Sequence, residues 1–421
     1  MHLNFKVIFV TLCATASTFA FYIEQPAAPI ISSLDAEVIP NSYIVVLKSG
    51  SRNSLLSHQA WLTSMLQISN ADSQAEANQI KHIYDADGFR GYSGRFHEDV
   101  IERIREMDDV AYIEADSMVY ASELQKNAPW GLSRISHREA LSFKTFNKYL
   151  YNADGGEGVT AYIVDTGVNV SHDDFEGRAT WGATIPENDE DKDGNGHGTH
   201  CAGTVAGKQY GVAKKAKVVA VKVLRSNGSG TMSDVIKGVS WVGTAHEQAV
   251  FEALRAGKKH KGSVANMSLG GGKSVALNEV VNAVVKKGVH FAVAAGNDNR
   301  DACGYSPASA EDAVTVGASA INDERAWFSN HGKCVDIFAP GKDITSTWIG
   351  SNIATNTISG TSMASPHICG LLAYMLSFES NSTITPKELK DKLIKAGTRD
   401  VLQKLPGDTP NILAYNNAPQ A

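Results

Sequence analysis

The sequence predicts an α/β fold: a parallel sheet flanked by helices, preceded by a small α+β, ferredoxin-like domain. Three observations carry this. After Trp130 the segments "VTAYIVD", "AKVVAVKVL", "SVANMSL" and "VHFAVAAGN" are near-continuous apolar runs, as strands buried on both faces should be. Helical stretches such as "MSDVIKGVSWVGTAHEQAVFEAL" and "SVALNEVVNAVVKKG" separate them, an alternation that gives a parallel sheet covered by helices. Between Asn41 and about Tyr120 the texture differs, with short strands and two amphipathic helices in the order of a split βαβ unit.

Taken from the N-terminus, residues 1–20 read as a secretory signal peptide. Lys6 precedes the apolar run "VIFVTLCATA", and small residues follow up to "STFA", the layout of a cleavable leader. The run falls short of the roughly 18 apolar residues that a membrane span needs. A protein entering the secretory pathway can keep disulfides. Next, "NSYIVVLKSG" reads as a strand, "SLLSHQAWLTSMLQI" as a helix and "GFRGYSGRF" as a strand or hairpin. "HEDVIERIREM" keeps Val100, Ile101 and Ile104 at helical spacing, and "VAYIEADSMVYA" is a closing strand. Near the C-terminus, "TPKELKDKLIKAG" has Thr385 as N-cap, Pro386 at the first helical position, Glu388 closing a capping box and Gly397 ending the helix.

Composition narrows the function. A hydrophobic share of 43% and a charged share of 20% belong to an ordinary globular protein rather than a disordered one. The formal net charge of -6 leaves no positive excess to neutralise phosphates, so no nucleic-acid partner is expected.

In a parallel sheet, chemistry gathers at the carboxyl ends of the strands. Asp165 closes "AYIVD" there, and Asn297 follows "HFAVAAG". Ser362, in "SGTSMASPH", leads into the apolar helix "MASPHICGLLAYML", whose first N–H groups and dipole can stabilise an oxyanion beside the hydroxyl. Pro366 falls in the opening turns of that helix and is expected to cost little there. His197 opens another helix in "DGNGHGTHCAG". Singly, a strand-end aspartate is a turn former and a serine at a helix start is a cap. Together they supply what a serine nucleophile needs, a base to take its proton and a third group to orient that base. The chain order acid, histidine, serine is that of the subtilisin class, whereas α/β-hydrolases run serine, acid, histidine around G-x-S-x-G. Here Ala364 stands where that elbow has its second glycine.

The segments "AYIVDTGVNVSHDDF", "DGNGHGTHCAGTVAG" and "ISGTSMASPHICG" resemble the three catalytic segments of subtilases, and "NMSLGGG" with "AVAAGN" resembles their cleft and oxyanion-hole segments. "NAPWGLSRISHREAL" is similar to the mature N-terminus of the proteinase K group, and "NKYLYNADGGEGVTAYIVDTGVN" to the cerevisin-like vacuolar proteases of fungi. Residues 43–120, ending "YIEADSMVYA", resemble the subtilase propeptide-inhibitor domain.

The resemblance implies a subtilisin-like serine endopeptidase of broad specificity. Ser362 is then the nucleophile, His197 the general base and later acid, and Asp165 the group that fixes the imidazole. Asn297 is the side-chain oxyanion donor. Substrate is expected to lie as an extended strand between one segment with Gly228, Ser229 and Gly230 and another with Ser268, Leu269 and Gly270. Ala294, Ala295 and Gly296 line an uncharged primary pocket, which favours a large neutral side chain before the scissile bond. A propeptide over 21–122 inhibits and assists folding of the peptidase domain at 123–421, until self-cleavage near Ser122 and Glu123 releases it. The expected protein is a monomer with protein and peptide substrates, vacuolar on the fungal resemblance or else secreted. A released inhibitor domain acting on other proteases is a rival role.

No catalytic cofactor is implied, but a structural calcium is, through Asp336 and the carbonyls near Glu311 and Ala313. The run before His197 imitates a calcium loop, with Asp189, Asp191, Asp193 and Gly194 in register, but His200 stands where a bidentate glutamate belongs. A metallo-hydrolase would explain the paired histidines, yet H-E-x-x-H is lacking. Of five cysteines, Cys13 leaves with the signal and the other four allow three full pairings by sequence alone. Resemblance points to Cys303 with Cys334, leaving Cys201 and Cys369 either as buried thiols or as a second bridge with each other. Among the N-x-S/T sequons at Asn169, Asn227, Asn266 and Asn381, Asn381 is the expected glycan site.

Overall fold

The computed structural model describes residues 27–32, 38–48, 52–71, 78–86, 88–117, 122–258, 260–379 and 384–418. The expected signal peptide and the Asn381 sequon lie outside them. The chain divides into two compact units, Met1–Met118 and Val119–Ala421.

In the first unit, chain order is β1 (Ile30–Ile31), β2 (Val38–Leu47), α1 (Arg52–Ala71), β3 (Gln79–Ala86), β4 (Phe89–Arg95), α2 (Glu98–Arg105) and β5 (Val110–Ser117). The sheet order β1-β5-β2-β4-β3 is a split βαβ sheet with β1 added at the edge. Leu55 and Leu62 of α1, Val100, Ile101 and Ile104 of α2, and Val45, Tyr92 and Ile113 of the sheet share one core. Strand β3 was not anticipated. Its "QIKHIYDA" is exposed along most of its length because it is an edge strand, so the apolar alternation that marks a strand is missing.

The second unit opens with an antiparallel ribbon of β6 (Ser122–Lys126) and β7 (Lys148–Asn152), around α3 (Trp130–Ile135). There follow β8 (Thr160–Asp165), β9 (Ala179–Thr184), α4 (His197–Ala206), β10 (Lys217–Lys222), α5 (Met232–Arg255), β11 (Ser263–Met267), β12 (Gly271–Gly272), α6 (Val275–Lys286), β13 (Val289–Ala294), β14 (Tyr305–Ser306), β15 (Val314–Ser319) and β16 (Ile337–Pro340). The chain closes with β17 (Ile344–Thr347), β18 (Thr355–Ile358), α7 (Thr361–Phe378), α8 (Pro386–Ala396), β19 (Thr398–Arg399) and β20 (Ile412–Leu413). The main sheet runs β19-β20-β16-β15-β13-β11-β8-β10-β9. Every pairing in it is parallel except β19 with β20.

Both faces of this sheet are covered, as the apolar strands require. Along β8, Ala161 and Ile163 pack on the side of α4 and α7, with Cys201, Val205, Ile368 and Leu372. Tyr162 and Val164 point the other way, toward Val235 and Val239 of α5 and Val281 of α6. Helix α7 is buried on nearly every side, which is why its sequence is apolar all round.

The sequence order reverses across β8, with β11 on one side and β10 and β9 on the other. Such a switch point opens a crevice at the carboxyl ends of the strands, where Asp165 stands. The expected capping box on α8 is formed: Thr385 N–H donates to Glu388 Oε2 at 2.8 Å, and Glu388 N–H to Thr385 Oγ1 at 3.3 Å.

Candidate active site

Two helix starts and one strand end build the site. Asp165 ends β8 and is fully buried. His197 is the first residue of α4, and Gly196 before it has φ 100, a left-handed conformation that suits glycine. A Cβ on Gly196 would also lie 2.5 Å from the Trp348 ring. Asp193 ties this turn to the end of β8. Its Oδ1 accepts from Gly196 N–H at 2.8 Å and from the Thr166 hydroxyl at 2.9 Å, and its Oδ2 from Thr199 N–H at 3.0 Å and the Thr199 hydroxyl at 2.6 Å. The Thr166 oxygen in turn accepts from Gly198 N–H at 3.0 Å.

Fixed in this way, His197 places Nδ1 at 2.8 Å from Asp165 Oδ1, which also accepts from Thr166 N–H at 2.7 Å. The imidazole lines an open cleft, a quarter of its side chain exposed. Burial works to lower its pKa, but the adjacent Asp165 carboxylate outweighs burial and holds it above the usual 6.5. The second oxygen of Asp165 is buried with no hydrogen-bond partner among the described residues.

Ser362 is the second residue of α7, half-buried, with its hydroxyl donating to the Ser268 carbonyl at 3.0 Å. Cys201, one helical turn beyond His197, donates its thiol to the Ser362 carbonyl at 3.4 Å. The starts of α4 and α7 therefore lie side by side. That carbonyl also accepts the Ser268 hydroxyl at 2.6 Å. The reason is Pro366, which stands where the helix would supply an N–H to Ser362. Pro366 thus falls beyond the free first turn expected for it, and Ser268 and Cys201 replace the donor it lacks.

Asn297 lies exposed after β13. Its Oδ1 accepts from Thr361 N–H at 2.8 Å and from the Thr361 hydroxyl at 2.9 Å, which leaves the amide NH₂ outside this contact. Gly228, Ser229 and Gly230 on one segment and Ser268, Leu269 and Gly270 on another line a cleft of about 470 Å³ together with His197. Leu224, Met232, Val235 and Leu277 give it an apolar recess. Ala294 and Ala295 are buried at the end of β13, and Gly296 donates its N–H to Thr361 Oγ1 at 3.1 Å. These three do not line that cleft.

Sequence reasoning gave no part to Thr166 or Thr361, weighed Asp193 only as a member of an imitated calcium loop, and treated Ser268 only as a cleft edge. Asp193 and Thr361 stand within the segments that carried the reading. Their polar side chains beside glycine-rich turns were the available signal.

His200, the neighbour in the paired-histidine motif, is buried with Nε2 at 2.9 Å from the Ile344 carbonyl, and burial lowers its pKa to about 4. It is a neutral structural group. The ligating atoms of Asp165, His197 and Cys201 do lie within 4.8 Å of one another, a set with the chemistry to hold a soft divalent ion. A thiol must lose its proton to ligate, and burial holds the Cys201 thiol well above its ordinary pKa.

Cys303 and Cys334 form a disulfide, and Cys201 and Cys369 are buried free thiols. The calcium expectation at Asp336 does not fit. Lys390 places its ammonium 2.9 Å from Asp336 Oδ2, 2.7 Å from the Ala313 carbonyl and 3.2 Å from the Glu311 carbonyl. A cation already stands among the oxygens assigned to the ion.

No helix among the described residues is long and apolar enough to cross a membrane. The model of the subtilase family matches residues 156–410, and that of peptidase inhibitor I9 matches residues 42–122. Subtilisin-like protease 8 of Arthroderma otae is 59% identical over 416 residues, which cover 94% of this chain and 85% of that protein. Subtilisin-like serine protease Pen c 2 of Penicillium citrinum is 58% identical over 419 residues, 94% of this chain and 92% of its own. Among solved structures, that of a cold adapted subtilisin-like serine proteinase is 44% identical with a TM-score of 0.62, covering 70% of this chain and all of that one. With its nucleophile candidate, base and acid on three elements at one sheet switch point and these matches along its length, the chain belongs to the subtilase family of serine proteases, with a peptidase inhibitor I9 segment ahead of the protease domain.

Proposed function

We propose that this subtilase is a broad-specificity endopeptidase, made as a precursor that its own N-terminal unit inhibits. The observation that carries the reading is the 2.8 Å contact between His197 and Asp165 at the edge of the cleft, beside the start of the helix bearing Ser362.

Ser362 Oγ attacks the peptide carbonyl carbon while its proton passes to His197 Nε2. That proton then goes to the leaving amine, and a water repeats the sequence on the acyl-enzyme. Asp165 stays ionised and accepts a hydrogen bond from Nδ1–H, which fixes the tautomer and stabilises the imidazolium. The oxyanion takes hydrogen bonds from the Asn297 NH₂ and the Ser362 backbone N–H, with the Thr361 donors holding Asn297 in the orientation this requires. No cofactor enters these steps.

An extended substrate lying between Gly228–Gly230 and Ser268–Gly270 is held by its main chain, so many sequences are accepted. The recess of Leu224, Met232, Val235 and Leu277 takes an apolar side chain upstream of the cut. The pocket for the residue just before the scissile bond is assigned to the uncharged segment Ala294, Ala295 and Gly296, apart from that recess, so a large neutral side chain is favoured there. A peptide library cleaved preferentially after acidic residues would contradict this assignment.

The inhibitor unit is proposed to stay attached until the chain cuts itself near Ser122 and Glu123, in the secretory pathway and ultimately in the vacuole. N-terminal sequencing and mass analysis of purified protein test this. The unaltered chain is expected to yield a fragment starting close to those residues, and the Ser362→Ala chain to remain whole. A Ser362→Ala chain that matures in isolation refutes self-processing.

A further inference from the structure

Helix α8 carries a lysine into an oxygen cage. Lys390 Nζ has three N–H donors and meets three acceptors: Asp336 Oδ2 just before β16, and the Ala313 and Glu311 carbonyls just before β15. The carboxylate and ammonium are both mostly buried, with 23% and 16% of their side chains exposed. Asp336 is further held by the Thr315 N–H at 2.8 Å. One carboxylate and two carbonyls are ligands a hard divalent cation would choose. The single positive charge of Lys390 balances the single carboxylate, whereas a divalent ion would leave an excess.

We infer that Lys390 is a tethered structural cation that replaces calcium in this cage and makes this part of the fold independent of the ion. A tethered group has a high effective concentration at its own site, and calcium would have to evict it and break its three contacts. The lysine also joins three parts of the chain, α8, the 311–313 turn and the entrance to β16. Leu389 and Leu393, both fully buried, dock α8 independently of Lys390, so loss of the ammonium should vacate the cage without releasing the helix. It follows that the Lys390→Ala chain acquires a calcium site that the native chain lacks.

The test uses full-length protein carrying Ser362→Ala to prevent self-digestion, melted in chelator and in millimolar calcium. In chelator, Lys390→Ala should melt lower than its parent by about 5 °C. Calcium should restore at least half of that loss, and the restored part should vanish when Asp336→Asn is added. The parent and its Asp336→Asn variant should respond identically to calcium, whatever ions bind elsewhere. This last comparison decides the question even if Lys390→Ala does not fold. The inference fails if Asp336→Asn reduces the parent's calcium response. It fails equally if Lys390→Ala melts where the parent does, or if calcium returns none of its loss.

Discussion

Ser362→Ala should reduce peptide turnover by about 10⁶-fold, the size of loss seen when a subtilisin triad serine is removed, while the chain stays folded. Structurally the change is small. Among the described residues the hydroxyl makes one hydrogen bond, to the Ser268 carbonyl, and the residue is half-buried, so the stability change should stay within about 1 kcal/mol. Chemically it removes the atom that forms the acyl bond, and neither His197 nor Asn297 can substitute for it. Turnover should not fall to the uncatalysed rate. The Asn297 amide and the α7 N–H groups remain and can still stabilise an oxyanion formed by attack of water, a contribution of about 10³ to 10⁴ in this class. The measurement is a rate on a chromogenic peptide, with the inhibitor unit removed by a separable protease, alongside a melting curve.

Asp165→Asn should cost about 10⁴-fold in kcat at neutral pH, with a displaced pH profile. In the unaltered enzyme His197 must be neutral to accept the serine proton, and the Asp165 carboxylate holds its pKa above 6.5 against the effect of burial. Activity should therefore rise with pH through a midpoint above 6.5 and then level off. Without the carboxylate charge, burial acts with little opposition, and the midpoint should move to lower pH even as the plateau falls. Profiles of kcat/KM from pH 5 to 10 separate this from damage to the fold, which would lower the plateau and leave the midpoint in place. An unmoved midpoint would mean that Asp165 does not govern the histidine.

Much of this was legible in the sequence because parallel strands buried on both faces cannot be polar. The apolar runs ending at Asp165 and Ala294 marked β8 and β13, and the residues just past such ends had to face the crevice. Legibility failed where a residue's partner is far along the chain. Edge strand β3 is exposed and so carries no apolar pattern. Pro366 looked harmless from its position near a helix start, and only the structure shows Ser268 and Cys201 replacing its donor. The Asp336 cage was expected to hold calcium because the family resemblance supplied its oxygens, before β15 and before β16, and said nothing of what fills it. Lys390, which fills it, comes from a helix that passes beside it, and nothing in "TPKELKDKLIKAG" announces that one lysine of four points inward. Asp193 looked like one more acid in an acidic run, yet it holds His197's turn to Asp165's strand.

The central claim, that Ser362 is a nucleophile activated by His197, is tested most directly by labelling the mature enzyme with a serine-reactive phosphonate and mapping the adduct by peptide mass. One label per chain should appear on the peptide containing Ser362, in step with complete loss of activity. His197→Ala should suppress the labelling, and a chelator should leave the initial rate of the unaltered enzyme unchanged. Activity that survives full exposure to the phosphonate but is lost in chelator, or a label on any other residue, would contradict the account.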